Sequence, residues 1–258
     1  MTNGGTLDGM RIEDPFRPTA PPGQDQLPFD DGEPMESQRH LEQMNVLIDS
    51  LRSHWGSRRD FYVGGNMFVY FSELQTRKND FRGPDVFVVM DTDAAKERKS
   101  WVVWEEDGRL PDVVIELLSS STEAIDRGEK KRIYERVWKV STYVLYDPFT
   151  YALTVFERNA EDILVERERA DVVNVPRLRL SLAVRPTKLA GQDVMGLRWI
   201  DGDEVLPTGE ERAASQRARA DAEGARADAE SARADEESAR ADAAEARIRE
   251  LEALLADR

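Results

Sequence analysis

Three short apolar runs constrain this chain most: Val86-Phe87-Val88-Val89, then Val113-Val114-Ile115-Glu116-Leu117-Leu118, then Thr142 to Tyr146. Each is too short for a core helix and, Glu116 and Thr142 aside, apolar, and the first two read as buried strands. Between the second and third runs lies a helical stretch from about Glu123 to Val137, with Ile133, Tyr134 and Val137 on its inner side. Strand, helix, strand in that order implies a crossover connection and a sheet with at least one parallel pair. The runs also carry acids. Asp85 follows Pro84 at the start of the first, where it could cap a turn or pair with Arg82, and Glu116 lies inside the second. A carboxylate surrounded by Val113, Val114, Ile115, Leu117 and Leu118 is costly to desolvate unless something pairs with it, either a structural cation or a bound divalent ion.

The remaining segments organise around these strands. Residues 1–34 hold Pro15, Pro18, Pro21, Pro22, Pro28 and Pro34 with no sustained periodicity, and read as a disordered extension. From Met35 to about Trp55, the residues Leu41, Met44, Leu47, Ile48, Leu51 and Trp55 recur at helical spacing, so one face of an amphipathic helix packs on the core. Phe61 to Val63 and Asn66 to Phe71 read as strands interrupted by Gly64-Gly65. Glu73 to Gly83 is polar and basic, and Trp101 to Trp104 is a short β run. A hairpin joins Thr142–Tyr146 to Leu153–Phe156 around Asp147-Pro148, and beyond Arg185 only short β fragments around Leu197 to Ile200 stand out.

After Pro207 the composition changes. Arg219, Arg226, Arg233, Arg240 and Arg247 recur every seven residues, in step with Asp221, Asp228, Asp235 and Asp242 and with an alanine column from Ala218 to Ala246. A seven-residue repeat without proline marks a long helix able to supercoil with a partner. Alanine makes a shallow seam, so association would depend on Ile248, Leu251, Leu254 and Leu255; the alternative is a single solvated helix held by Arg–acid pairs of roughly 0.2–0.5 kcal/mol each.

Composition excludes several chemistries. The 258 residues contain no cysteine and only His40 and His54, which argues against thiolate chemistry, a histidine-rich zinc site and most Ser-His-Asp arrangements. No apolar run is long enough to span a bilayer and the N-terminus carries no export signal, so a cytoplasmic protein with no membrane partner is expected. A formal charge of −15 argues against a protein that coats nucleic acid non-specifically, and leaves room for a local basic groove.

The order Pro84-Asp85, Glu116 in an Ile-Glu-Leu-Leu-Ser strand, Gly128-Glu129-Lys130 with Tyr134, and Tyr143-Val144-Leu145-Tyr146-Asp147-Pro148 resembles the Uma2 family, also called DUF820. The resemblance runs from about Met35 to Leu206. That family is placed among the PD-(D/E)xK nucleases, so it implies an α/β fold: a restriction-endonuclease-like mixed central sheet flanked by helices. It also implies a metal-dependent endonuclease that acts on nucleic acid, with DNA the expected partner. In the wider superfamily a lysine stands two residues after the strand acid, where this chain has Leu118. Lys130 is the expected substitute, Lys131 the runner-up, and Arg132 a phosphate-facing or solvent residue. Asp85, Glu116 and the backbone carbonyl of Leu117 would hold Mg2+ or Mn2+, with Asp85, Glu116 and Lys130 as the catalytic set.

Other polar residues receive lesser roles. Glu36 is a candidate extra ligand, His40 a surface or packing residue, Asp112 a solvated strand-start residue, and Asp126 a helix cap. Tyr134 and Tyr143 read as core. Ser119 to Thr122 resemble the family's Ser-Pro-Ser-Thr loop, with Ser120 in place of the proline. The expected organisation is an extension over 1–34, a nuclease-like domain over 35–207, and a heptad helix over 208–258 through which the chain could form a homo-oligomer. The competing reading is a catalytically silent scaffold of the same fold whose tail recruits partners.

Overall fold

A computed structural model describes residues 21–29, 35–72 and 83–256. Helix α1 is Gln38–His54 and strands β1 to β5 are Phe61–Gly64, Val69–Tyr70, Val86–Met90, Trp101–Val102 and Val113–Leu117. A helical segment follows in three parts: α2, Glu123–Ile125; a π-turn, Asp126–Lys130; and α3, Lys131–Arg136. Then come β6, Thr142–Tyr146; β7, Leu153–Arg158; β8, Leu164–Glu166; β9, Val173–Val175; β10, Leu180–Leu189; β11, Gln192–Asp201; β12, Glu204–Val205; and helix α4, Gly209–Ala256.

The main sheet has the order β1-β3-β5-β6-β7-β8. β5 and β6 run parallel, joined by the helical crossover, and the other neighbours are antiparallel, which makes the sheet mixed. Side-chain alternation splits the core in two. Val86, Val88, Val113, Ile115 and Leu117 face α1 and a second sheet of order β12-β11-β10-β9, whereas Phe87, Val89 and Val114 face the crossover helix with Tyr134, Trp138 and Tyr143. The protein is thus an α/β domain whose mixed central sheet is covered on both faces, with one long helix leaving it.

α1 forms as its spacing predicts, and Leu47 and Leu51 are fully buried, a burial worth roughly 1.5–3 kcal/mol each. Leu41 differs: it is 41% exposed, and the buried place on that turn goes to His40. Gln43, also fully buried, ties α1 to the second sheet by donating to the Leu197 carbonyl at 2.9 Å and accepting from the Leu197 N–H at 3.0 Å. Val137 likewise turns out, because the helix ends at Arg136, and Trp138 takes the inner position.

The fragments expected beyond Arg185 are two ten-residue strands forming a long hairpin. The run expected over 66–71 is a strand only at Val69–Tyr70, and past Val102 the Trp101–Trp104 run turns into a 3-10 helix, Val103–Glu105. Within the extension, residues 21–29 pack on the domain: Leu27 is buried with Phe68, Tyr70 and Val102, and Trp104 donates to the Pro22 carbonyl at 3.0 Å. Residues 1–20, 30–34 and nearly all of the 73–83 segment, Arg82 included, lie outside the described residues.

α4 spans 48 residues, about 72 Å at 1.5 Å per residue. Its start is fixed: Thr208 accepts from the Glu211 N–H while Glu211 accepts from the Thr208 N–H, a capping box, and Glu211 also pairs with buried Arg198 at 2.6 Å. Beyond its first turns the helix is exposed, Ile248 included, and the side chains of Leu251, Leu254 and Leu255 lie outside the described set. No helix among the described residues is long and apolar enough to cross a membrane.

Replacing Gln43 with alanine leaves both backbone groups of Leu197 without partners inside the core. A loss of about 2–4 kcal/mol is expected in urea unfolding, with Leu41→Ala, at an exposed position of the same helix, costing under about 1 kcal/mol.

Candidate active site

The β3–β5 register pairs Val86 with Ile115, so Asp85, one residue before β3, stands opposite Glu116. By strand alternation both carboxylates lie on the face beneath the crossover helix. They clasp one another through the backbone: the Asp85 N–H donates to Glu116 Oε2 at 3.3 Å, and Asp85 Oδ2 accepts from the Leu117 N–H at 2.7 Å. A residue in a strand points its N–H and its carbonyl to the same side, so the Leu117 carbonyl faces the edge where Asp85 sits.

The helix completes the cluster. Lys130 Nζ lies 3.2 Å from Glu116 Oε2 and 2.8 Å from Asp126 Oδ1, and the Tyr134 hydroxyl donates to Glu116 Oε1 at 2.7 Å. Asp126 does not cap the helix: it lies three residues past Glu123, where the helix begins, is 1% exposed, and faces inward with Lys130. Its carbonyl accepts from the Tyr143 hydroxyl at 2.9 Å, a bond from the sheet into the π-turn. Tyr134, read from sequence as core, is both core and site, since it is fully buried and holds Glu116. The spacing 126, 130, 134 is the signal that places all three on one helical face.

Electrostatics follow from this packing. Glu116 and Asp126 contact the one ammonium, and the Asp85 charge acts on it from further off. Burial pushes the Asp85 carboxyl well above the usual range, and the charge of Glu116 pushes it further. Glu116 is also raised, by burial first, although Lys130 pulls it down. Burial works against the Lys130 ammonium, but Glu116 and Asp126 outweigh it and raise its pKa. Burial and the adjacent Glu116 charge keep the Tyr134 hydroxyl protonated. The cluster thus holds more negative charge than its own lysine neutralises, in hard oxygen donors suited to a divalent ion. Among the described residues no group of three or more His, Cys, Asp or Glu is arranged to hold a metal ion, so any ion here would rely on the two strand acids, backbone oxygen and water.

The lesser candidates sit elsewhere. Lys131 turns away, pairing with Glu135 at 3.4 Å and lying over the Phe156 ring, and Arg132 is exposed. Asp112 is held at the far end of β5 by the Met90 N–H and by Arg177, each at 2.7 Å. Glu36 accepts from the Ser119 hydroxyl at 2.8 Å, and buried His40 reaches the Leu118 carbonyl at 3.1 Å, both beside the end of β5. Ser119 serves the crossover helix: its hydroxyl accepts from the Thr122 N–H and its carbonyl from the Glu123 N–H.

A family model described as "Putative restriction endonuclease", Uma2, matches residues 21–185. The chain belongs to the Uma2 family. The match begins with the packed segment 21–29 and ends inside β10, so β11 and α4 lie beyond it. An uncharacterized protein of Synechocystis is 28% identical over 126 residues, 47% of this chain; the chain spans 63% of that relative's length. A solved structure, described as "a putative nuclease belonging to DUF820 from Anabaena variabilis", has 17% identity and a TM-score of 0.41 over 57% of this chain and 80% of its own, a likeness too loose to carry an argument.

One close approach sets where Asp85 can be. A Cβ on Gly65 would overlap the Asp85 carbonyl oxygen and press on Ile48 and Met44, so this Uma2 chain needs glycine there to seat the strand end against α1.

The raised carboxyls make a pH prediction. An acid whose folded pKa lies above its unfolded value binds its proton more tightly when folded, so it destabilises the fold as pH rises through that interval and contributes nothing below the unfolded value. Metal-free Asp85→Asn should therefore be more stable than wild type at pH 7, and the two melting temperatures should converge as pH falls to the ordinary carboxylate range. A variant less stable than wild type at pH 7 by calorimetry would contradict the raised Asp85 carboxyl.

Proposed function

We propose that this protein is a metal-dependent endonuclease that hydrolyses phosphodiester bonds of nucleic acid, with DNA as substrate, at the cluster of Asp85, Glu116 and Lys130. The observation that carries the reading is the convergence of two opposed strand carboxylates and a half-buried lysine at one end of β5. A structural ion pair alone would need one acid per base, and here two buried acids, Glu116 and Asp126, contact one lysine while Asp85 bonds the neighbouring backbone.

Asp85, Glu116 and the Leu117 carbonyl would hold Mg2+ or Mn2+. When bound, such an ion lowers the pKa of its water and polarises the phosphoryl group. Glu116 has four lone-pair directions, of which Tyr134, Lys130 and the Asp85 N–H take three, so one remains for a further partner. Lys130 is the one member of the ion-paired group with appreciable side-chain exposure, 19% against 1% for Glu116, so its ammonium can donate to an incoming phosphate oxygen while still held from behind. Tyr134 fixes the Glu116 carboxylate plane. No side chain in the cluster is set up as a dedicated general base; Lys130, held as an ammonium, orients the attacking water, and solvent takes its proton.

The tail has a separate proposed role. With its charged faces in seven-residue register and no covering element, α4 is the segment through which a second copy would pair.

Metal-dependent melting, plasmid nicking and light scattering test these readings. Mn2+ should raise the melting temperature of wild type and support nicking of supercoiled plasmid, whereas Glu116→Gln should lose both, with nicking down by more than about 100-fold, the upper end for loss of an outer partner. If wild type neither binds Mn2+ nor nicks, the scaffold reading replaces this one. Lys130→Ala should slow nicking and leave Mn2+ binding in place. Truncation after Pro207 should leave the domain folded; an unchanged oligomeric state in light scattering would remove the pairing role of α4.

A further inference from the structure

The third acid of the cluster has no part in the reading above. Asp126 is as buried as Glu116, each 1% exposed, and a core does not take in a second carboxylate beside a first without a compensating gain. Two assignments compete: a third ligand for the cation, or a fixed partner for the lysine.

The geometry points to the second: we propose that Asp126 is a positioning residue, which holds the Lys130 ammonium against Glu116 and does not itself hold the cation. This rests on the nuclease reading of the site. Lys130 carries a long flexible stem with many rotamers, and one carboxylate contact at 3.2 Å leaves its ammonium free to swing. The 2.8 Å contact to Asp126 gives it a second anchor from the preceding turn, the direction in which helical side chains lean. Asp126 is itself clamped, because the Tyr143 hydroxyl from β6 bonds its carbonyl at 2.9 Å and its own N–H donates to the Thr122 carbonyl at 3.0 Å. The π-turn, Asp126–Lys130, sits at this clamp, where a sheet side chain enters the helical ladder.

The strand acids are arranged differently. Asp85 bonds the backbone of Leu117, and Glu116 accepts from the backbone of Asp85, so the two lock to each other across β3 and β5. Asp126 has no such bond to either, and it reaches the strand acids only through the lysine. That Asp85, Glu116 and Asp126 do not form a three-acid cage agrees with this division of labour. Lys131 cannot take over, since it is committed to Glu135 and Phe156.

The test uses the full-length chain with 15N-labelled lysine. In the metal-free wild type, Lys130 should give a resolved, slowly exchanging side-chain ammonium signal, assigned by its absence from Lys130→Ala. Asp126→Ala should abolish or average that signal, keep Mn2+ affinity by titration calorimetry close to wild type, and lower kcat for plasmid nicking about 10–100-fold with KM little changed. Asp126→Asn, which keeps shape and a carbonyl acceptor, should fall between the two and serves if the alanine variant does not fold. Loss of Mn2+ affinity in Asp126→Asn as large as in Glu116→Gln would make Asp126 a ligand and overturn the proposal. A Lys130 signal indifferent to Asp126 would overturn it too, whatever the wild type cleaves, whereas a wild type that shows the signal but neither binds Mn2+ nor nicks would remove the nuclease reading and leave the lysine contact standing.

Discussion

The structure turns on two carboxylates set opposite each other on neighbouring strands and facing the same way. The register that pairs Val86 with Ile115 puts Asp85 across from Glu116, and the alternation that sends Ile115 and Leu117 toward α1 sends Glu116 under the crossover helix. Like charges at that separation repel, and burial sharpens the repulsion because little solvent screens it. The surrounding choices answer that strain: a lysine from the helix, a tyrosine hydroxyl on Glu116, and a backbone N–H for each acid. Where a chain breaks the rule against buried charge and then builds this much around the breach, function is the usual reason.

The opposite face of the sheet matters to the same end. α1 packs against the strand end that carries Asp85 through Gly65, Ile48 and Met44, and the second sheet holds α1 in turn through Gln43 and the Trp199 indole, which donates to the Leu47 carbonyl at 3.1 Å. Strand-end position is thus set by layers that contain no catalytic candidate. A site in which two carboxylates must stay opposed needs that rigidity, because a one-residue slip in β3 would turn Asp85 to the other face.

Sequence made some of this legible and hid the rest for physical reasons. β3, β5 and β6 stand out because they are buried on both faces and carry no charged residue except Glu116. The β10–β11 hairpin is hidden by its own residues. Its two-residue turn, Ala190-Gly191, places alanine at a φ of 52°, where asparagine or glycine is the recognisable signal. Pro186 argues against a strand, yet it pairs with Met195 at a non-hydrogen-bonded position where its missing N–H faces away from β11, and β9 covers only Leu180 to Leu182 on the other side. Helical spacing puts Val137 on the inner face of the crossover helix, but the segment contains a π-turn and stops at Arg136, which turns Val137 out. Asp126 looked like a cap because it precedes a basic helical run, while its spacing to Lys130 and Tyr134 carried the better reading.

The departure at Leu118 then has a physical account. Two residues beyond Glu116, that position lies on the same face of β5, and a lysine there would project from a rigid strand toward the acids. Leu118 instead packs with Tyr134 and Trp138, 5% exposed, and seals the helix onto the sheet. The ammonium comes from that helix, so its position depends on how the helix is seated. An anchor at Asp126, tied to the sheet through Tyr143, makes the helix register and the lysine position one and the same constraint. Moving the lysine off the strand is therefore compatible with the same chemistry only if the helix is fixed as firmly as a strand, and the buried contacts of Leu118, Tyr134, Tyr143 and Asp126 are what fix it.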